Sequence, residues 1–394
     1  MPGDAPGVLF HACTAAALLS VLVMNFFEIR TNRTATGTGV TLLSAGAGWT
    51  LTLAGLVIAA YTVYVLRRHV LARAAGFLIL VSMVPIALAA LGLVSSALGR
   101  IEAQQARVSI GPGFWLFLAA VYGMTVTIAP ALVDRSGVLL RSAMIVGIAV
   151  FAFMLAGGGL DALSLLKEYH NRKTTFLAES LRHFFYAGGS TVAALAIGVP
   201  FGYAASRSRA WERPVFFLAN MAQAFPTISL LGLLIVPLSM LANRFPTLDA
   251  LGIRGVGWAP ASIVLFLYAL LPVTANAHAG FRMVESPVLD AAKGLGMHGW
   301  PLFIRVQLPL ALPAILGGTR TALTQNLGNA VLAGLIGGGG LGSLIFLGLA
   351  QAAPDLILLG VLPLVAMVFV SEQTLGALER IVRKAAGGEG ARTC

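Results

Sequence analysis

Uninterrupted apolar windows of about 20 residues recur along the whole chain, and they limit its folding options more than any other feature. At about 1.5 Å of rise per residue, each is long enough to cross a hydrocarbon core of about 30 Å. Inside such a core an unpaired peptide group has no water to bond, so the backbone must be helical. Composition agrees, since 58% of the 394 residues are hydrophobic and 10% charged, against about 25% charged in an ordinary soluble domain. The windows predict spans near 8–27, 46–66, 75–97, 113–133, 138–157, 180–204, 214–240, 257–279, 311–333 and 354–377. The expected fold is an all-α polytopic membrane protein with about ten transmembrane helices.

The net charge of +11 and pI near 10.4 do not point to nucleic acid. The basic residues fall in short clusters between apolar runs rather than along one exposed stripe. Counted by loop, 15 Lys and Arg lie on one side and 10 on the other, with Arg320 inside a span. Cytoplasmic loops carry the excess of positive charge, so both termini are expected in the cytoplasm. The N-terminal run lacks a basic leader and is longer than a signal-peptide core, which predicts a retained helix. Cys13 and Cys394 have no metal-ligand spacing and read as structural or incidental.

A charged, polar stretch, GGLDALSLLKEYHNRKTTFLAES, interrupts the apolar pattern after the fifth window. It divides the chain into a five-span region at 1–157, an external linker at 158–179, a second membrane domain at 180–384 and a cytoplasmic tail at 385–394. One continuous bundle with a long loop is the alternative. No sequence repeat relates the two halves.

The island LDAAKGLGMHGWPLFIRVQLP, 289–309, lies between two late spans on the side expected to be cytoplasmic. Ser286-Pro287 suits a helix start, with Ser as cap and proline at the first helical position. Val288, Ala291, Ala292 and Leu295 recur at helical spacing, while Gly294 and Gly296 stop the helix after about two turns. Leu308-Pro309 with Pro313 is expected to turn the chain back to the membrane. A helix this short needs something to pack on. Its small alanines fit either a loop covering its own helix ends or a helix inserted into a partner's groove.

The order D-A-A-x-x-x-G, nine residues, then V-x-L-P resembles the EAA signature of ABC importer permeases, with Asp290 in place of the usual Glu and Val306 in place of the usual Ile. VQLPLALPAILGGTRTAL and LGNAVLAGLIGGGGLG, at 306–323 and 327–342, are similar to theirs as well. The resemblance covers roughly 176–384, a type-1 transmembrane domain, and is nearest to permeases for glycine betaine, choline and proline; methionine permeases share much of the pattern. It implies a coupling helix docked in a cleft of a cytoplasmic ATPase dimer. Asp290 and Lys293 would then supply polar contacts, Ala291 and Ala292 close packing, Gly296 the turn, and Leu308-Pro309 the link to the next span. It further implies a second permease copy or a related permease, an external periplasmic solute-binding protein and location in the bacterial inner membrane.

A phosphate-binding loop needs Lys after Gly, and none of the four lysines follows one. No cofactor or metal is therefore expected in this chain, and ATP would be bound by the partner. An ion-coupled secondary transporter is the rival reading, because it would place ionisable groups in mid-membrane. The candidates are His278, Arg320 and Glu372, each near enough to a predicted inner end to serve as an anchor. An intramembrane enzyme finds no support, as no metal spacing, nucleophile elbow or paired carboxylates fall inside a span.

Pro226 in NMAQAFPTISLLG should kink its span, with Gln223, Phe225 and Thr227 around the kink. Together with Gln325 and Asn326 they are candidates to line a solute pathway, or else to form a packing kink with amides bonded to neighbouring helices. GLIGGGGLGSLIFLGL, 334–349, is too glycine-rich for an ordinary helix interior and reads as a re-entrant or close-packed gate segment.

Overall fold

The computed structural model describes residues 5–32, 36–65, 70–101, 107–132 and 152–385, with isolated positions between 146 and 150. Most of the expected span at 138–157 and the tail from 386 onward lie outside the described residues. The chain divides into two compact units, 1–171 and 172–394.

The first unit contains α1 (Ala5–Leu22), β1 (Asn25–Arg30), β2 (Thr38–Thr41), α2 (Ala47–Val65), α3 (Val70–Ile101), β3 (Arg107–Ile110), α4 (Pro112–Leu132) and α5 (Ser164–Asn171). The window expected to span 8–27 ends as a helix at Leu22, because Phe26 and Phe27 belong to a strand. The three strands form an antiparallel sheet in the order β2-β1-β3, with Phe27 opposite Ile110 and Ile29 opposite Val108. Phe26, Phe27 and Phe117 are fully buried, and Phe26 meets the edge of Phe114 with ring centroids 5.6 Å apart. The sheet thus seals the end of the helices with aromatic side chains. Arg107 of β3 pairs with the buried carboxylate of Glu168 on α5 at 2.5 Å. The stretch expected as a linker at 158–179 is therefore ordered: it supplies α5 and about the first two turns of the next helix. Its charges mark a helix that bonds a strand.

The second unit contains α6 (Lys173–Arg207), α7 (Arg209–Ala224), α8 (Thr227–Arg244), α9 (Trp258–Arg282), α10 (Ser286–Gly294), α11 (Leu308–Asn329), α12 (Leu341–Ala350) and α13 (Pro354–Ala385). Among the described residues of both units, seven helical segments are long and apolar enough to cross a membrane. One of them, Gly299–Ile336, is a continuous stack of 38 residues that includes α11. At the centre α6, α9 and α11 pack through small buried residues, Ala194, Ala269 and Ala322 in one layer and Ala277 and Ala311 in another. Small side chains let helix backbones approach closely where lipid provides no hydrophobic drive between helices.

The expected span at 214–240 is not one helix. It breaks at Phe225 (φ −86°, ψ 139°) and Pro226 (φ −58°, ψ 137°), leaving α7 and α8 on either side. A residue before proline is pushed to extended backbone, and here that preference ends the helix instead of bending it.

Candidate functional site

The nine-residue α10 is held by few contacts of its own. Glu285, rather than Ser286, is its cap residue, and Ser286-Pro287 forms the first turn. Ala292 is its one buried side chain, whereas Val288 is 40% exposed and Leu295, just beyond the helix, 79%. Lys293 Nζ bonds Asp290 Oδ1 at 2.9 Å, one turn away. Both groups face solvent, so the pair adds little stability and chiefly orients the two charges. The helix closes in a Schellman motif: Gly296 N–H donates to Lys293 O at 2.8 Å and Met297 N–H to Ala292 O at 3.1 Å. Gly296 sits at φ +81°, where a β-carbon is disfavoured. Ala291 lies exposed on the helix surface.

The chain does not turn at Leu308-Pro309. It stays helical, and Phe303–Gln307 forms a π turn closed by Leu308 N–H to Phe303 O. Proline lacks an N–H and its ring crowds the carbonyl four residues back. The wider turn accommodates Pro309 without interrupting the stack.

At the break between α7 and α8, Gln223 Nε2 donates to the carbonyl of Tyr268 at 2.8 Å, and the Tyr268 hydroxyl donates to the carbonyl of Phe225. Phe225 and Pro226 are exposed and Thr227, which opens α8, is half-buried. Asn326 is fully buried on α11 and donates to Thr191 Oγ1 of α6 at 3.1 Å; its Oδ1 has no partner. Gln325 beside it is half-buried. Gln223 and Asn326 are thus bonded to different helices, α9 and α6.

The glycine segment and the end of α11 before it are held by three side chains on one face of α6 that sequence reasoning missed. Ala330–Ile336 is a 3₁₀ stretch, and Gly337, Gly339 and Gly340 all have φ near +75 to +80°. Glu179 accepts the Gly340 N–H with one oxygen and Arg182 Nη1 at 2.9 Å with the other. His183 Nε2 bonds Leu327 O at 2.9 Å, and the Tyr186 hydroxyl donates to Gly338 O at 2.5 Å. Residues 179, 183 and 186 follow the four-then-three spacing of a single helix face. A signal was present: Glu and His four apart at the start of a long, mostly apolar helix. A β-carbon on Gly342 would lie 1.8 Å from Val331 O, so α12 and the 3₁₀ stretch meet backbone to backbone. At ten residues α12 is about 15 Å long, too short to span.

Of the three ionisable residues singled out in the spans, Arg320 and Glu372 are partnered, whereas His278 Nε2 is buried without a hydrogen-bond partner. Arg320 lies 3.5 Å from Glu372 and 3.2 Å from Glu379, and Thr324 Oγ1 donates to Glu372 at 2.6 Å. His278 Nε2 is 3.9 Å from Glu212 and its ring meets Phe216 edge-on at 5.2 Å. Among the described residues, no three His, Cys, Asp or Glu side chains gather as metal ligands.

Two families match the chain. Residues 194–384 match "Binding-protein-dependent transport system inner membrane component", and residues 4–166 match "ABC transporter permease YehY, N-terminal domain". The glycine betaine/carnitine/choline transport system permease protein OpuCB of Bacillus subtilis is 33% identical over 220 residues, 54% of this chain and 94% of that protein. The choline transport system permease protein OpuBB of Bacillus subtilis is 32% identical over 52% of this chain and 87% of its own length. The osmoprotectant import permease protein OsmW of Salmonella typhimurium is 30% identical over 52% of this chain and 89% of its own. In solved structures of the MetNI methionine ABC transporter in inward-facing conformations, one chain aligns with 54% of this chain and 98% of its own at 18% identity and TM-score 0.46.

Proposed function

Because the chain belongs to the family of binding-protein-dependent transport system inner membrane components, we propose that it carries an osmoprotectant such as glycine betaine, carnitine or choline across the bilayer by ATP-driven alternating access. The sequence relationship to permeases named for those solutes is the observation that carries the solute class.

The chain is a transport subunit, and the work of ATP hydrolysis falls to a separate ATPase dimer that docks on α10. The exposed apolar Val288 and Leu295, the exposed Ala291 and the Asp290–Lys293 pair supply the contact, while the buried Ala292 seats the helix closely on its own chain. Gly296 fixes the angle at which the helix leaves the interface. From α10 the motion enters the stack beginning at Gly299, passes Leu308 and Pro309, and reaches the glycine segment at its other end. Both termini and α10 are cytoplasmic in this reading, and the Glu179–Gly340 contact is at the external end, where a solute-binding protein delivers its load. A second permease copy, or a related permease, completes the pathway, to which Gln223, Phe225, Pro226, Thr227, Gln325 and Asn326 contribute. The domain limits are 1–157, 158–179, 180–384 and 385–394, with the second of these folded as α5 and the start of α6.

The test is uptake into vesicles holding the permease, its ATPase and its binding protein. Gly296→Leu and Asp290→Lys should each uncouple ATP hydrolysis from uptake, measured as solute carried per ATP. Coupling equal to that of the unaltered chain would overturn the assignment, as would uptake driven by an ion gradient with no ATPase present.

A further inference from the structure

A cavity of about 510 Å³ opens between α6 and α9. Four aromatic rings line it, Phe185 and Tyr186 from α6 and Trp258 and Phe266 from α9, and no charged side chain does so among the described residues. Two serines lie between the rings, each about one turn along its helix, Ser190 after Tyr186 and Ser262 between Trp258 and Phe266. Ser190 Oγ donates to Ser262 O at 3.1 Å, so the hydroxyl of one and the backbone of the other are already engaged. The surface offered to an occupant is mainly ring faces and small apolar groups, with three hydroxyl oxygens among them.

Those walls are partly fixed in advance. The Tyr186 hydroxyl is bonded to Gly338 O, and Gly257, the residue before Trp258, donates its N–H to Ile336 O at 2.8 Å. Two of the four rings are therefore tied to the ends of the 336–338 stretch. Phe185 and Trp258 remain 67% and 42% exposed, which leaves the cavity open on one side.

An ammonium group with N–H bonds would have to leave its hydrogen-bond partners in water to enter here, and the cavity returns only the oxygens of the Tyr186, Ser190 and Ser262 hydroxyls. A quaternary ammonium has no N–H to satisfy and is attracted by the negative faces of aromatic rings. The volume also lies in the range of small-ligand sites. The geometry points to this cavity as a staging site for the trimethylammonium head of the transported solute, an inference that rests on the osmoprotectant reading above. Because Tyr186 is both a cavity wall and a tether of Gly338, occupancy and the conformation of the glycine segment are linked through one side chain.

The test is equilibrium dialysis of labelled choline against the purified full-length permease bound to its ATPase, without the binding protein, alongside ATP-driven choline uptake by the complete system. Saturable choline binding is expected, and 3,3-dimethylbutan-1-ol, the uncharged isostere, should compete at least about tenfold more weakly if ring faces act on the charge. Phe266→Leu should weaken choline binding at least about fivefold and Phe266→Tyr should restore it, since the second keeps the ring. Uptake without saturable binding, or equal competition by the isostere, would overturn the staging site and leave the osmoprotectant reading intact. Absence of both binding and uptake of choline, glycine betaine and carnitine would overturn the two together.

Discussion

Gln223 and Tyr268 each supply what the other's helix lacks. Pro272 has no N–H, so the carbonyl of Tyr268 four residues earlier loses its helical donor; Gln223 Nε2 fills that place at 2.8 Å. Tyr268 returns its hydroxyl to Phe225 O, a carbonyl left free where α7 ends. Two proline-induced defects, on different helices, are satisfied by one reciprocal pair.

Gln223→Leu should therefore leave the Tyr268 carbonyl without its side-chain donor, and Tyr268→Phe should do the same to Phe225. For the Tyr268 carbonyl, in a residue only 8% exposed, the loss costs about 1–3 kcal/mol, and for Phe225, which is exposed, less. In a double-mutant cycle read by thermal unfolding in detergent, the two changes should be non-additive. Strict additivity would show that the bonds act independently.

Glu179→Ala should loosen the glycine segment, because it removes the acceptor of the Gly340 amide and the anchor of Arg182. Hydrogen exchange at 337–340 should accelerate by about ten- to a hundredfold, the equivalent of about 1–3 kcal/mol. Glu179→Gln, which keeps an acceptor, should give a smaller effect. Unchanged exchange in the alanine variant would remove Glu179 from the role of anchor.

Arg107→Met should destabilise the first unit. Its guanidinium lies 2.5 Å from a carboxylate only 3% exposed, and removing one partner of a buried pair costs about 3–5 kcal/mol. Limited proteolysis near 160–170 should speed up in the variant. Arg254→Met, which breaks a pair exposed by about half on both sides, should unfold at nearly the unaltered temperature.

Glu372→Gln separates the importer from an ion-coupled carrier. If Glu372 anchors Arg320 and Thr324, ATP-driven uptake should stay within about threefold of the unaltered chain, since an exposed ion pair contributes little. Complete loss of uptake with normal folding would mean that the carboxylate carries a proton or ion.

The helical, membrane-spanning character was legible because apolar runs need no tertiary information, and so was α10, whose start, period and glycine stop are local signals. The sheet was not, because Asn25–Arg30 becomes a strand only by pairing with residues 38–41 and 107–110. The helix break was read as a kink because Pro226 signals a disturbance without fixing its size; the Gln223–Tyr268 pair stabilises the full break. Glu179, His183 and Tyr186 were legible as a helix face but not as anchors, since their acceptors and donors lie some 140–160 residues away. The aromatic cavity combines side chains from two helices, and no single window contains it.

A π turn holds one residue more than the surrounding α-helical count. If it migrates along a helix, every residue it passes advances by one position, a rotation of about 100° with a rise of about 1.5 Å. The π turn at Phe303–Gln307 lies between α10 and the rest of the 38-residue stack. A pull on α10 that shifted this turn into the stack would rotate the residues it passed about the helix axis, presenting a different set of their side chains to the neighbours without tilting the helix.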